Sequence, residues 1–357
     1  MTPAADLLAS LVRFPTQQGG GDERALCDHL APLLAARGAD EVIVESSPRS
    51  DGSPGAYVFA RWGTPVRVIN AHVDTVPANA GWSRDPWTPA IVGDRLYGLG
   101  SADTKGAIAT TLVAIDTLGE RPRDLGVLFS GDEEAGSAIM HAFLASPRAA
   151  QIREVIVCEP TARRAGIAHR GVLAQRARLE GNGGHSSKAD HLPRPIAELA
   201  RLAVGLDAIG RARLHDGPAG MQGLCLNLAS LSGGVAFNVV PQRAELEWSI
   251  RPFPGFDRGE WDRQLAEIPK DQGIVVEDTI DHAPFTCAAL VDAVRPFVTS
   301  SGAVDFWTEA AILAQHGIDA IVVGPGDIAQ AHAADEWVAI DDLAWAVDLY
   351  ASLMRRA

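Results

Sequence analysis

The sequence predicts an α/β fold in which one domain is interrupted by a smaller α+β domain, and three observations lead there. Short runs rich in Val, Ile and Leu alternate with helical stretches in the first and last parts of the chain, as in strands buried in a mostly parallel or mixed sheet. From about Arg170 to Asp281 the order becomes β-α-β-β-α-β, the ferredoxin-like arrangement. A length of 357 residues suffices for two such domains. The expected division is 1–169 with 282–357 for the interrupted domain and 170–281 for the inserted one.

Helices are expected at Ala4–Arg13 and Arg24–Arg37. The β-rich runs Ala56–Trp62 and Val66–Ala71 follow, and Gly63-Thr64-Pro65 between them has the residues of a tight turn, so the two are expected to form a hairpin. A loop rich in Trp, Pro and Asp (Asn79–Pro89) leads to the helix Ala107–Leu118. The apolar runs Leu125–Ser130 and Val155–Cys158 flank a helix near Ser137–Ala145. In the inserted part, Val172–Glu180, Leu224–Leu231, Arg243–Arg251 and Gly273–Glu277 read as strands, with helices at Arg194–Ile209 and Asp257–Glu267. A helix near Glu309–Gln315, the strand Ala320–Val323 and a closing helix from Ile340 resume the first pattern.

Hydrophobic residues make up 47% and charged residues 21%, the balance of a chain that folds on its own. Lys and Arg number 31 against 45 Asp and Glu, a formal charge of −14 that repels phosphate backbones and anionic lipid. Neither nucleic acid nor a membrane is an expected partner. No run approaches the ~20 apolar residues of a spanning helix, and MTPAADLLASLVRF lacks the features of a signal peptide, so a cytoplasmic location is expected. Cys27, Cys158, Cys225 and Cys287 are widely spaced and form no CxxC pair, which reads as reduced thiols rather than a zinc knot or a disulfide framework.

The chemistry-bearing residues sit in loops just past predicted strands, where open α/β sheets place their ligands. In His72-Val73-Asp74, the histidine offers an imidazole and Asp74, two residues on, is on the side from which it can orient that ring. Asp103, in Gly100-Ser101-Ala102-Asp103-Thr104-Lys105-Gly106, leads into a helix; alone it also fits a helix cap. Asp132-Glu133-Glu134 places three acids after an apolar strand, a solvated turn or a site in which one acid binds metal while its neighbour handles a proton. Glu159 follows the run ending at Cys158, and His332 lies beyond the strand Ala320–Val323. Imidazoles and carboxylates without thiolates suit borderline divalent ions such as Zn²⁺ or Co²⁺. Two such ions can share one carboxylate, activate water and polarise a carbonyl, with one spare carboxylate as general base.

In order and spacing, His72-x-Asp74, Gly100-x-x-Asp103-x-Lys105-Gly106, Asp132-Glu133-Glu134, Glu159-Pro160-Thr161, Gly184-His185-Ser186-Ser187 and His332 resemble the M20 family of co-catalytic metallopeptidases and deacylases, over nearly the whole chain. The resemblance implies a mixed-sheet catalytic domain of the zinc-dependent exopeptidase type with an inserted ferredoxin-like lid, which also forms a homodimer. It implies two divalent ions, zinc or cobalt, bridged by Asp103, with His72 and Glu159 completing one site and Glu134 and His332 the other. Glu133 would be the proton-transferring base, Asp74 would support His72, and the Asp103–Thr104 peptide bond would be cis. His185 would stabilise the oxyanion from the partner subunit, while Asn238 and Arg251 would bind a substrate carboxylate. Lys105 and Arg170 are further candidate polar contacts, and Trp82 and Trp87 are candidate lining residues.

Within that family, His72-Val73-Asp74-Thr75-Val76-Pro77, Trp82 to Pro86 and His169-Arg170-Gly171-Val172-Leu173 resemble the acetylornithine deacetylase and succinyl-diaminopimelate desuccinylase branch, and Ala303 to Ala310 with Gly324 to His332 resemble acetylornithine or acetylcitrulline deacetylases in particular. An acetylornithine or acetylcitrulline deacetylase of arginine biosynthesis, acting on a small N-acyl amino acid, is the implied activity. Desuccinylase and dipeptidase or carboxypeptidase activities are the alternatives. A non-catalytic binding protein is disfavoured by the full ligand set, and a phosphoesterase by the lack of a Gly-rich phosphate cradle. Thr308-Glu309 stands where many relatives carry Ser/Thr-Asp, and Thr104 where Met is frequent. Both departures bear on specificity rather than on the metal set.

Overall fold

The strand Leu125–Ser130, buried along its whole length, organises the larger part of the molecule. In the computed structural model, which describes residues 2–269 and 273–355, it pairs antiparallel with Pro54–Trp62 on one side and parallel with Arg67–His72 on the other. The expected domain limits at 1 and 357 lie outside the described residues. Glu154–Val157 continues the sheet parallel to Arg67–His72, and Asp319–Val322 lies parallel to Glu154–Val157. Adjacent parallel strands therefore end on one edge, carrying the loops that hold the candidate ligands.

The expected hairpin between Ala56–Trp62 and Val66–Ala71 is not formed, because Leu125–Ser130 lies between the two strands. The turn that suggested it serves a crossover instead. Gly63 N–H donates to the Asp40 carboxylate (2.7 Å), and Thr64 and Val66 N–H groups donate to Asp124 (3.0 Å each). The hairpin partner of Pro54–Trp62 is Glu41–Pro48, an unexpected strand whose residues are all at least partly exposed.

The helix Lys105–Asp116 is buried along most of its length, which explains why its sequence, KGAIATTLVAID, lacks a polar face. It packs against the sheet and the helices Pro3–Val12 and Ile340–Met354. A small sheet formed by Ala90–Val92, Arg95–Tyr97 and Trp337–Ala339 joins the segment after His332 to the loop before Asp103.

The chain divides into two compact units. One comprises Met1–Ile167, Cys287–Val304 and Thr308–Ala357; the other comprises Ala168–Thr286 and Asp305–Trp307. The second unit has an antiparallel sheet in the order Asn227–Gly233, Arg243–Ile250, Val172–Glu180, Val275–His282, with helices Pro195–Ala212 and Arg258–Glu267 in the β-α-β-β-α-β sequence. Leu173, Ala177, Leu179, Leu246, Trp248 and Ile250 are buried, as are Leu199, Leu202 and Trp261 of the helices. On the alternate strand positions, Arg176 and Arg178 pair with Glu245, Glu247 and Glu277. No helix among the described residues is long and apolar enough to cross a membrane.

A buried ion pair fixes the acidic turn after Leu125–Ser130. Glu23, at the start of the helix Glu23–Ala36, meets Arg49 at 2.9 Å and accepts the N–H groups of Ala56 (3.0 Å) and Asp132 (3.3 Å). Gly131 is required there, since a Cβ would lie 2.0 Å from the Glu23 carboxylate. Burial raises the Glu23 pKa to about 7, against the lowering influence of Arg49. Arg49→Met leaves that carboxylate without its cation and is expected to cost ~3–5 kcal/mol by urea denaturation above about pH 8, where Glu23 is ionised in the wild type. Its loss raises the Glu23 pKa further, so the deficit shrinks as pH falls through about 7, below which Glu23 is protonated in both folded proteins.

Candidate metal centre

His72 is the last residue of a buried strand, and its ring is held by the chain that follows. Nδ1 lies 2.9 Å from the backbone carbonyl of Asp74, an oxygen that can only accept, so Nδ1 carries a proton and Nε2 is the nitrogen that can exchange its proton for a metal ion. Nε2 faces Asp103 Oδ1 at 2.9 Å and Glu159 Oε2 at 3.9 Å. Donors this close need a proton or a metal ion between them, and His72, Asp103 and Glu159 form one group whose ligand atoms lie within 4.8 Å of one another and could hold such an ion.

Asp103, Glu134 and His332 form a second such group, sharing Asp103 with the first. His332 Nε2 lies 2.9 Å from Glu134 Oε1 and 3.4 Å from Asp103 Oδ2. Asp103 and Glu159 are each 6% exposed, whereas the His332 side chain is 52% exposed and marks the open side. The peptide bond Asp103–Thr104 is cis. Thr104 ties this loop to the strand end: its hydroxyl donates to the His72 carbonyl (3.0 Å) and accepts the His72 N–H (3.1 Å).

The electrostatics call for positive charge. Burial raises the carboxyl pKa values of Glu133 and Glu159 well above the ordinary range, reinforced for Glu133 by the Glu159 charge and for Glu159 by Asp103. Burial lowers the pKa of His72, but hydrogen bonds to Asp103 and Asp74 reverse this and hold it well above 6.5. Hydrogen bonds to Asp103 and Glu134 push His332 up to about 10. Imidazoles that hold protons this tightly mark places where divalent cations compete with protons, and the mixed N/O donor set fits two such ions.

Asp74 lies against the His72 ring and has a further task besides. Its carboxylate stands 3.5 Å from His72 Nδ1 and also accepts the N–H groups of Glu133 (3.2 Å) and Glu134 (3.1 Å), fixing the two acids relative to each other. Asp74→Asn replaces one acceptor oxygen by a donor and is expected to lower kcat/KM and affinity for the ion beside Glu134 by ~10–100-fold, read by steady-state kinetics and calorimetric metal titration.

The remaining candidates fall in several places. Lys105 is buried and donates to the Phe14 carbonyl (2.8 Å); burial lowers its pKa to about 8. The Arg170 guanidinium donates to the carbonyls of Gln222, Gly223 and Arg251. Glu309 is buried and accepts the Ser130 hydroxyl (3.0 Å), which in turn accepts from Asn70. In the second unit, His185 is exposed and pairs in register with Val239, while Asn238 accepts the Ser186 N–H (3.0 Å). Ser187 N–H donates to His185 Nδ1 (3.2 Å), so in the neutral ring Nε2 carries the proton. Arg251 is exposed, and its N–H donates to Leu224. Thr104 and Glu336 were not singled out by sequence as residues that order the centre; only the position of Glu336, an acid next to the apolar pair Trp337-Val338, hinted at burial.

Comparison with known proteins places this geometry in context. A sequence model described as peptidase family M20/M25/M40 matches residues 68–356. The chain is 35% identical to an N-acetyl-L-citrulline deacetylase of Xanthomonas campestris pv. campestris over 362 aligned residues, covering 95% of each chain. It is 32% identical to an acetylornithine deacetylase of Edwardsiella ictaluri, covering 88% of this chain and 87% of that one. Among solved structures, the M20 family metallo-carboxypeptidase Sso-CP2 from Sulfolobus solfataricus superposes with a TM-score of 0.75 at 17% identity, over 99% of each chain, a likeness of fold.

Proposed function

This chain belongs to the M20/M25/M40 peptidase family, and we propose that it removes the acetyl group from an N-acetyl amino acid, N-acetyl-L-citrulline or N-acetyl-L-ornithine. The observation that carries this reading is the pair of three-donor groups sharing Asp103, with the partly buried Glu133 influenced by Glu159, His72 and Glu134. The likeness to deacetylases over nearly full length supports the choice of acyl group and amino acid.

His72, Asp103 and Glu159 would hold one divalent ion and Asp103, Glu134 and His332 the other. Zinc suits these donors best, and cobalt suits them as well. When bound, such ions polarise an amide carbonyl and acidify water. Glu133 accepts the proton of the water that attacks the carbonyl carbon. As the C–N bond breaks, Glu133 delivers that proton to the leaving amine, so acetate and the free amino acid are the products. The first unit is the catalytic domain in this reading and the second the lid, from which His185 Nε2–H would donate to the developing oxyanion and Asn238 and Arg251 would bind the substrate carboxylate.

The second unit would also form a homodimer, with His185 serving the partner's centre. The strand Asn227–Gly233, exposed throughout at an edge of its sheet, supports this, as does the fully exposed Phe237. A cytoplasmic setting suits reduced cysteines and a small-molecule substrate. The test is a panel of N-acetyl-L-citrulline, N-acetyl-L-ornithine, N-succinyl-diaminopimelate and dipeptides with the zinc-loaded protein. One of the first two is expected to be turned over at least ~10-fold more efficiently than the succinyl compound and the dipeptides, a discrimination within reach of pocket contacts. Turnover of only the succinyl compound or the dipeptides would overturn the assignment.

A further inference from the structure

We propose that Glu336 is a positioning residue of the metal centre, one that fixes the shared carboxylate of Asp103 relative to His332. The proposal rests on the reading of Asp103 as a ligand to both ions. Glu336 is 2% exposed, and its carboxylate faces the loop that carries Asp103. Oε2 accepts the Gly100 N–H (2.8 Å), and Oε1 accepts the N–H groups of Ala102 (2.8 Å) and Asp103 (3.1 Å). The Glu336 carbonyl accepts the Gly98 N–H as well (2.9 Å). One residue thus gathers four backbone donors from a segment more than 230 positions away in sequence.

The other end of this clamp is His332, four residues before Glu336. The turn between them is tightly shaped, with left-handed backbone at His332 (φ 56°) and Asp335 (φ 57°). Asp335 anchors the outer side of that turn to Ser83, accepting its N–H (3.0 Å) and hydroxyl (2.7 Å). The Asn79 side chain donates to the His332 carbonyl. Both His332 and Asp103 belong to the second donor group, so the position of one relative to the other depends on what joins their loops. The Glu336 carboxylate is the most deeply buried of those joints.

A carboxylate is the side chain this place requires. Three converging N–H groups need two acceptor oxygens, and a glutamine would turn an NH₂ towards one of the donors. An ordinary packing residue could fill the space but would leave buried N–H groups unpaired. The role is one of geometry, since Glu336 belongs to neither donor group.

Calorimetric titration with Zn²⁺ alone tests this on the full chain, comparing wild type with Glu336→Gln, Glu336→Asp and Ser83→Ala. Wild type is expected to take up two ions. Glu336→Gln should bind the weaker ion ~10–100-fold less tightly, the range for a group that orients a metal ligand, with a lower kcat and a KM within about twofold. Glu336→Asp should recover part of the loss, and Ser83→Ala should stay within about twofold of wild type. Wild-type affinity for both ions in Glu336→Gln overturns the proposal. So does a Ser83→Ala loss as large as that of Glu336→Gln, because the turn as a whole would then be responsible. Should neither Glu336 variant fold, amide exchange in the wild type decides: Gly100, Ala102 and Asp103 N–H groups should be protected and gain protection on Zn²⁺ addition. Exchange at the rate of an open loop overturns the clamp. Uptake of fewer than two ions by the wild type instead defeats the underlying two-ion reading.

Discussion

Glu133→Gln is expected to lower kcat by at least ~10²-fold while both metal positions fill as in wild type, the loss that follows removal of a positioned acid–base group. Glutamine matches the size of glutamate and keeps the backbone N–H that Asp74 accepts, so the turn retains its shape. What disappears is the ability to take a proton from water and return it to the amine. Burial and the Glu159 charge push the Glu133 pKa above the ordinary carboxylate range, the direction that suits a base operating near neutrality. Single-turnover kinetics beside metal analysis separate the two effects. Near-normal turnover in a fully loaded variant would remove Glu133 from its role, and loss of metal would place it among the ligands.

Asp103→Ala should be more damaging still, because Asp103 is the one residue common to both donor groups. The variant keeps His72 with Glu159 and Glu134 with His332, pairs that fall short of the three protein ligands typical of a catalytic zinc site. Bound metal is expected to fall from two ions per chain to one or fewer. Activity should drop by ~10³-fold or more, since an ion supplies several kcal/mol of charge stabilisation and each 1.36 kcal/mol is a factor of ten in rate. Metal content after dialysis and residual kcat/KM check the two halves separately. Two tightly held ions in this variant would show that Asp103 bridges nothing.

Several candidate ligands were legible because they lie just past a strand whose apolar run is plain in the sequence: His72 after Val68-Ile69, Glu133 and Glu134 after Leu125–Ser130, Glu159 after Val155–Cys158; Asp103, between a short strand of the small sheet and the helix Lys105–Asp116, was not among them. The fold of these strands into one edge brings them together, and the local pattern already says which residues lie at that edge. Pairing between distant segments was less accessible. Gly63-Thr64-Pro65 has the composition of a tight turn, and only the anchoring of its N–H groups by Asp40 and Asp124 shows that it leads into a crossover. Glu41–Pro48 was missed because its half-exposed residues give no buried run.

The supporting residues were hidden for a related reason. Asp74 meets His72 through its backbone carbonyl and with a carboxylate 3.5 Å from Nδ1, as their closeness in sequence suggests, but the hold of that carboxylate on the N–H groups of Glu133 and Glu134 could not be read there. Thr104 and Glu336 likewise act on backbone atoms of other segments, and backbone atoms leave no mark on residue type. Side chains that meet a ligand directly are easier to find from sequence than those that hold the chain around it.

The most direct measurement is a crystal structure of the zinc-loaded protein with anomalous diffraction recorded at the zinc edge. Two peaks ~3.5–4 Å apart, one between His72 and Glu159 and one between Glu134 and His332, with an Asp103 oxygen on each, are the expected result. A single peak, or two peaks of which Asp103 touches only one, would contradict the shared centre.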